Sequence, residues 1–150
     1  MKLEGLAEIE RKLLSLEKKV GKKIVRKAVR AGAKPMLVAA KANANSMVGG
    51  SMGKLIARSL QTRAFKKQRR GQFGVATRLK SGVPEFVEES ADGRSNYIPA
   101  AIEYGHIDRG GGFVPAIPYI RAAFDATKRA SEKAVARTFK TEIEATAKKG

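Results

Sequence analysis

The chain has no cysteine, no tryptophan and a single histidine, and it carries no acidic residue anywhere between Glu17 and Glu85. Without cysteine there are no disulfides, no thiolate zinc sites and no cysteine nucleophile, a pattern that fits a reducing cytoplasm. The lone histidine, His106, stands beside Asp108, but no serine with a convincing context accompanies them, and no histidine or carboxylate cluster has metal-ligand spacing. No catalytic residue, metal site or cofactor is therefore nominated, and His106 reads as a surface or interface residue. Aromatics are few, three Tyr and six Phe in 150 residues, so the core must come mainly from Leu, Ile, Val and Ala. No run of eighteen apolar residues is present, so no membrane partner or span is expected. The start, Met-Lys-Leu-Glu-Gly-Leu-Ala-Glu, alternates charged with apolar residues and does not read as a signal peptide.

What is abundant is positive charge, unevenly placed. Residues 1–80 hold 21 Lys and Arg against 4 Asp and Glu, while residues 81–150 hold 10 against 10. A solvated face normally mixes signs. The bias asks for an anionic partner, either nucleic acid or an acidic surface of a neighbouring subunit.

A chain of this length makes one domain, residues 1–150, able to bury roughly two-thirds of its unfolded surface. Leu3, Leu6, Ile9, Leu13, Leu16 and Val20 recur at helical steps, with Gly21 expected to mark a break or a bend before a second helix. A second helix is expected over residues 22–45, with Ile24, Val25, Ala28, Val29, Gly32, Met36, Ala39 and Ala40 inward. Lys22, Lys23, Arg26, Lys27, Arg30, Lys34 and Lys41 cover the rest, as a stripe on nucleic acid or as a solvated face. Pro35 predicts a kink just before it.

Residues 43–54 read as a flexible linker. Gly53-Lys54 invites a phosphate-loop reading, but Val48 stands where the first glycine should be, and Leu55 where Ser or Thr should bind magnesium. Residues 55–65 and 72–79 read as a hairpin, from the alternation of Phe73, Val75, Thr77 and Leu79. Its tip holds Lys66, Lys67, Arg69 and Arg70. With Arg63 and Arg78 on the strands, these are the candidate contacts to DNA or an acidic partner. Residues 85–89 read as a third strand and residues 91–96 as a polar turn.

The stretch from Tyr97 to Phe124 organises the chain, holding three of the five prolines and five of the nine aromatics. Pro99 and Gly105 bound a short helix, and Pro118 opens a long one to Lys148 whose first core residues are expected to be Ile120 and Phe124. Between them lies a glycine-rich loop, residues 107–114, whose backbone can move. Narrow, alanine-rich stripes on the long helix suit close packing.

These residues also resemble a known family. Tyr97, then Glu103-Tyr104-Gly105, then Pro115-Ala116-x-Pro118-Tyr119-Ile120-Arg121-x-Ala123-Phe124 resembles the tail-completion, or head–tail joining, proteins of tailed bacteriophages. Upstream, Gly53-x-Leu55 followed by Ser59-Leu60 is similar to that family's entry into its sheet. The similarity runs in order from Leu6 to Ile143, departing from the pattern in the glycine-rich loop. It implies a structural virion protein, assembled in the host cytoplasm into a ring, often a hexamer, around the DNA channel in the neck. Its partners would be other neck and tail proteins, and DNA in the channel. Tyr97, Glu103, Tyr104, Gly105, Pro118, Tyr119, Arg121 and Phe124 would form the subunit interface, with Glu103 pairing to a basic residue such as Arg121.

The expected fold is α+β: two N-terminal helices, a small antiparallel sheet with a basic hairpin, a short helix and a long C-terminal helix. Composition alone supports a second reading, a small basic nucleic-acid-binding protein. An enzyme is a third, disfavoured by the lack of a convergent site.

Overall fold

The computed structural model describes residues 6–15, 18–66, 72–89 and 93–148. Helices are α1 (Leu6–Ser15), α2 (Lys18–Asn43), α3 (Gly50–Ser59), α4 (Ile98–Tyr104) and α5 (Tyr119–Ala147). Strands are β1 (Leu60–Ala64), β2 (Val75–Leu79), β3 (Val87–Glu89), β4 (Ser95–Tyr97), β5 (His106–Ile107) and β6 (Phe113–Val114). The class is α+β, mostly helical, and among the described residues the strands form three separate two-stranded ladders, not one sheet of three or more.

The chain divides into two compact units. Residues Met1–Met36, Thr62–Thr77 and Thr127–Gly150 make the first, and Leu37–Gln61 with Arg78–Ala126 the second. In the first, α2 turns Ile24, Ala28 and Gly32 inward at four-residue steps, the spacing that stacks side chains along one helix face. Gly32 lets α2 and α5 approach closely, since a Cβ there would collide with Val135 Cγ2. The expected break at Gly21 is not found. α2 already runs from Lys18 and passes through Gly21 and Pro35 without leaving the helix.

The second unit holds a buried apolar cluster of Ala40, Ala44, Ile56, Ala57, Leu60, Phe86, Tyr119 and Ala123. Here the expectation of a flexible linker at 43–54 is overturned. Residues Ala44–Val48 form one π-helical turn, closed by Gly49 N–H donating to Ala44 O at 3.1 Å, and α3 follows at once. Gly49 supplies the positive φ of 71° that redirects the chain. Gly53 lies against the Ala44 carbonyl, where any Cβ would collide. These glycines serve turning and close packing, so they read as a linker only when the fold is unknown. Consequently residues 55–59 are helical, and the strand begins at Leu60.

β1 and β2 pair antiparallel. Phe65 N–H donates to Gly74 O at 3.2 Å and Lys80 N–H to Ser59 O at 2.8 Å, partners running in opposite directions along the two strands. The third strand is shorter than expected, because Pro84–Phe86 forms a helical turn that drives Phe86 into the core before β3 starts. The polar turn expected at 91–96 ends instead in β4, with Val87 opposite Tyr97 and Glu89 opposite Ser95. Phe86 meets the Tyr97 ring edge-on, centroids 6.1 Å apart.

Candidate functional site

The junction of α4 and α5 is built around a buried carboxylate. α4 starts with Pro99 in its first turn and ends at Gly105, whose φ is +76°. A Cβ on Gly105 would sit 2.8 Å from Val114 O and 3.0 Å from Ala116 N, so only glycine permits this approach. Two residues before Gly105, Glu103 is 95% buried. Its carboxylate accepts hydrogen bonds from the backbone N–H of Ile120 at 2.9 Å and of Arg121 at 3.0 Å. These are first-turn donors of α5, which have no partner inside their own helix, and the helix dipole favours an anion there. Ile117 N–H donates to Ile102 O at 2.7 Å, and Asn43 Nδ2 donates to Tyr119 O at 3.1 Å. The expected pairing of Glu103 with the Arg121 side chain is corrected: the bond goes to the Arg121 backbone, and the guanidinium points to an exposed surface.

Glu103, Gly105, Pro118, Tyr119 and the Arg121 backbone are thus brought together as a brace within the second unit. Tyr119 is fully buried, so its ring fills the core and offers nothing to another subunit. Burial, helped by the Glu103 carboxylate, pushes its phenol well above the ordinary tyrosine range. Its hydroxyl has no hydrogen-bond partner among the described residues. Phe124 is the reverse case. Expected in the core, it is 51% exposed, because α5 turns Tyr119 and Ala123, four apart, inward and leaves Phe124 one position further round. Further along α5, Ile143 is buried, Val135 and Phe139 are half-buried, and Ala130 is exposed.

The stretch expected as an open glycine loop is a closed hairpin. His106 pairs with Val114 and Ile107 with Phe113. At the tip, the Asp108 carboxylate accepts from Gly110 N–H at 2.8 Å and Gly112 N–H at 2.7 Å, and Asp108 N–H donates to Gly112 O at 2.8 Å. An aspartate folding its side chain onto nearby backbone is the usual device of a tight turn. Arg109 pairs with Glu88 at 3.2 Å, but both are exposed, so the pair adds little.

This hairpin displays apolar surface. Ile107 and Phe113 are a cross-strand pair, each nearly three-quarters exposed, and Tyr104 at the end of α4 matches them. Tyr97 and Val87, paired on β4 and β3, are roughly half exposed. Sequence reasoning named Tyr97 and Tyr104 and missed Val87, Ile107 and Phe113. Flanked by Gly112 and Val114, Phe113 carries no alternation that would have marked a strand.

The basic candidates distribute differently. Arg63 on β1, Arg78 on β2 and Lys66 just beyond β1 are exposed, whereas Lys67, Arg69 and Arg70 lie outside the described residues. On α2, Lys22, Lys23, Arg26, Lys27 and Arg30 line one open depression. The guanidinium carbons of Arg26 and Arg30 sit 5.7 and 5.8 Å from the centre of the Phe73 ring. No local sequence pattern couples Phe73 to a helix more than forty positions earlier. Among the described residues no group of three or more His, Asp or Glu could hold a metal ion, and no helix is long and apolar enough to cross a membrane.

A family model described as "Bacteriophage HK97-gp10, putative tail-component" matches residues 7–106, which span α1 to the start of β5. No curated protein and no solved structure matches the chain.

Proposed function

The chain belongs to the HK97-gp10-like family of bacteriophage tail components, and from that premise we propose that it completes the tail at the head–tail junction as one subunit of a ring around the DNA channel. The observation that carries the ring is the exposed apolar hairpin beside the Glu103 brace. Soluble monomers seldom show a paired Ile and Phe nearly three-quarters exposed next to an equally exposed Tyr. Aromatic side chains of this kind anchor protein interfaces. The occupant is a second copy of the chain, because repeating one such contact around an axis closes a ring. Tyr97, Tyr104 and Phe124 would contribute side chains to it, while Glu103, Gly105, Pro118, Tyr119 and Arg121 would hold the hairpin at a fixed angle. The contacts expected of Lys66, Lys67, Arg63, Arg69, Arg70 and Arg78 would face DNA or an acidic neighbour. The role is structural, and its other partners would be neck and tail proteins of the same virion.

The test has two arms. Sedimentation and negative-stain imaging of the purified chain should show closed rings. A null mutant of the parent phage should yield DNA-filled heads and separate tails with few joined particles. Normal yield of infectious particles from the null would sink the junction assignment. A chain that stays monomeric at high concentration, yet binds nucleic acid, would favour a free-standing basic nucleic-acid-binding protein.

A further inference from the structure

The depression on α2 differs in kind from the hairpin. Lys22, Arg26 and Arg30 follow one another at four-residue steps, about 6 Å apart along the helix axis, and Lys23 and Lys27 form the adjacent ridge. All five side chains are exposed, no carboxylate among the described residues lines the depression, and Lys27 is drawn aside into an ion pair with Glu142. Phe73, half-buried, sits beneath Arg26 and Arg30, so two guanidinium groups are held in place over its ring.

Three partners could meet such a face, and the side chains discriminate among them. Protein interfaces are depleted in lysine and rely on buried aromatic or apolar anchors. This face offers three lysines, and its one aromatic is already covered. Single-stranded nucleic acid is held by stacking bases on open aromatic faces, and among the described residues of this face the ring, Phe73, is half-buried with two guanidinium groups over it. A duplex phosphate backbone asks only for well-placed cations. We infer that this face of α2, anchored by Phe73, binds the phosphate backbone of duplex DNA without reading its sequence. The inference rests on the DNA-channel reading for its biological setting only, since the binding itself belongs to the free chain.

The test uses the full-length protein and a fluorescent mixed-sequence DNA duplex, with affinity measured by anisotropy across a salt series. Each neutralised phosphate contributes about −0.9 to the slope of log affinity against log salt. The variant carrying Lys22→Gln, Lys23→Gln, Arg26→Gln and Arg30→Gln should therefore lose about 3 to 4 units of slope. A control removes the same number of exposed charges from α5, through Lys128→Gln, Arg129→Gln, Lys133→Gln and Arg137→Gln, and should change the slope far less. Arg26→Lys with Arg30→Lys keeps the charge and should keep most of the slope. An unchanged slope in the α2 variant, or an equal loss in the α5 control, overturns the proposal. So does polyglutamate competing as well as duplex at equal charge, which would mean an acidic protein partner, or single-stranded DNA binding more tightly than duplex. Particle assembly is scored separately: normal joining in the null mutant faults the tail reading, and lost duplex slope in the α2 variant supports the proposal whether or not that variant still joins heads to tails.

Discussion

The two compact units differ in what they bury and what they show. Residues 37–61 and 78–126 contain the five largest fully buried side chains among the described residues, Tyr119, Phe86, Ile56, Leu60 and Pro99, and hold 8 basic against 7 acidic residues. Residues 1–36, 62–77 and 127–150 bury Ile24, Ala28, Gly32 and Ile143 and hold 23 basic against 7 acidic residues. One unit is therefore a core that presents apolar surface at its hairpin, and the other is a helical unit with a large excess of positive charge. Stability and protein contacts should map to residues 37–61 and 78–126, and contacts with polyanions to the cationic unit.

The strongest way to break this division is to hollow the core. Phe86→Ala should cost about 4 kcal/mol in chemical denaturation, the usual range for a buried aromatic. A loss under about 1 kcal/mol would mean that the second unit does not carry the stability. Next comes the brace. Glu103→Ala removes two charge-assisted bonds and leaves two helix-terminal donors unpaired, an expected loss of about 3 kcal/mol. Glu103→Gln, which keeps an acceptor, should lose roughly half as much. If both variants melt with the native protein, the carboxylate is incidental to the junction.

The hairpin separates the two kinds of role more finely. Ile107→Asp with Phe113→Asp should weaken self-association at least about tenfold, roughly 1.4 kcal/mol. Monomer stability should stay within about 0.5 kcal/mol, because neither side chain is buried in the monomer. Sedimentation equilibrium beside a melting curve reads both, and a destabilised monomer with unchanged association would move the contact elsewhere.

The smallest effect is expected at the Tyr119 hydroxyl. Having no partner among the described residues, it should be removable by Tyr119→Phe with a change within about 1 kcal/mol at neutral pH. Its pH dependence gives the sharper reading. The folded phenol titrates above its unfolded value of about 10, so the fold favours the neutral form. That contribution is intact below the unfolded value and is lost as pH rises beyond it. Wild type should therefore lose stability on the alkaline side faster than Tyr119→Phe, and parallel curves would contradict the burial.

Much of the second unit's frame was readable from local chemistry. Pro99, Gly105 and Pro118 mark the ends of α4 and the start of α5 because their backbone limits act on the spot. Alternation from Phe73 to Leu79 marked β2 for the same reason. What failed depends on distant partners. Gly49 and Gly53 read as flexibility until the Ala44 carbonyl is seen against Gly53, and α3 was missed with them. Phe124 was read as a leading core residue of α5 and Tyr119 was not, because periodicity tells that a stripe exists, while only packing tells which residues lead it. Charge was misjudged for a related reason. Counted along the chain, residues 81–150 are neutral, yet the fold assigns 127–150, with 7 basic against 3 acidic residues, to the cationic unit.

The Glu103 brace has a consequence for how such a chain tolerates change. The Ile117–Ile102 bond and the two bonds to Glu103 tie α5 to α4 directly, so the register between the helices does not pass through residues 106–114. The hairpin is then an interchangeable tip on a fixed mount. Its length and side chains are free to drift, and a docking preference can be rewritten there while the two helices keep their positions.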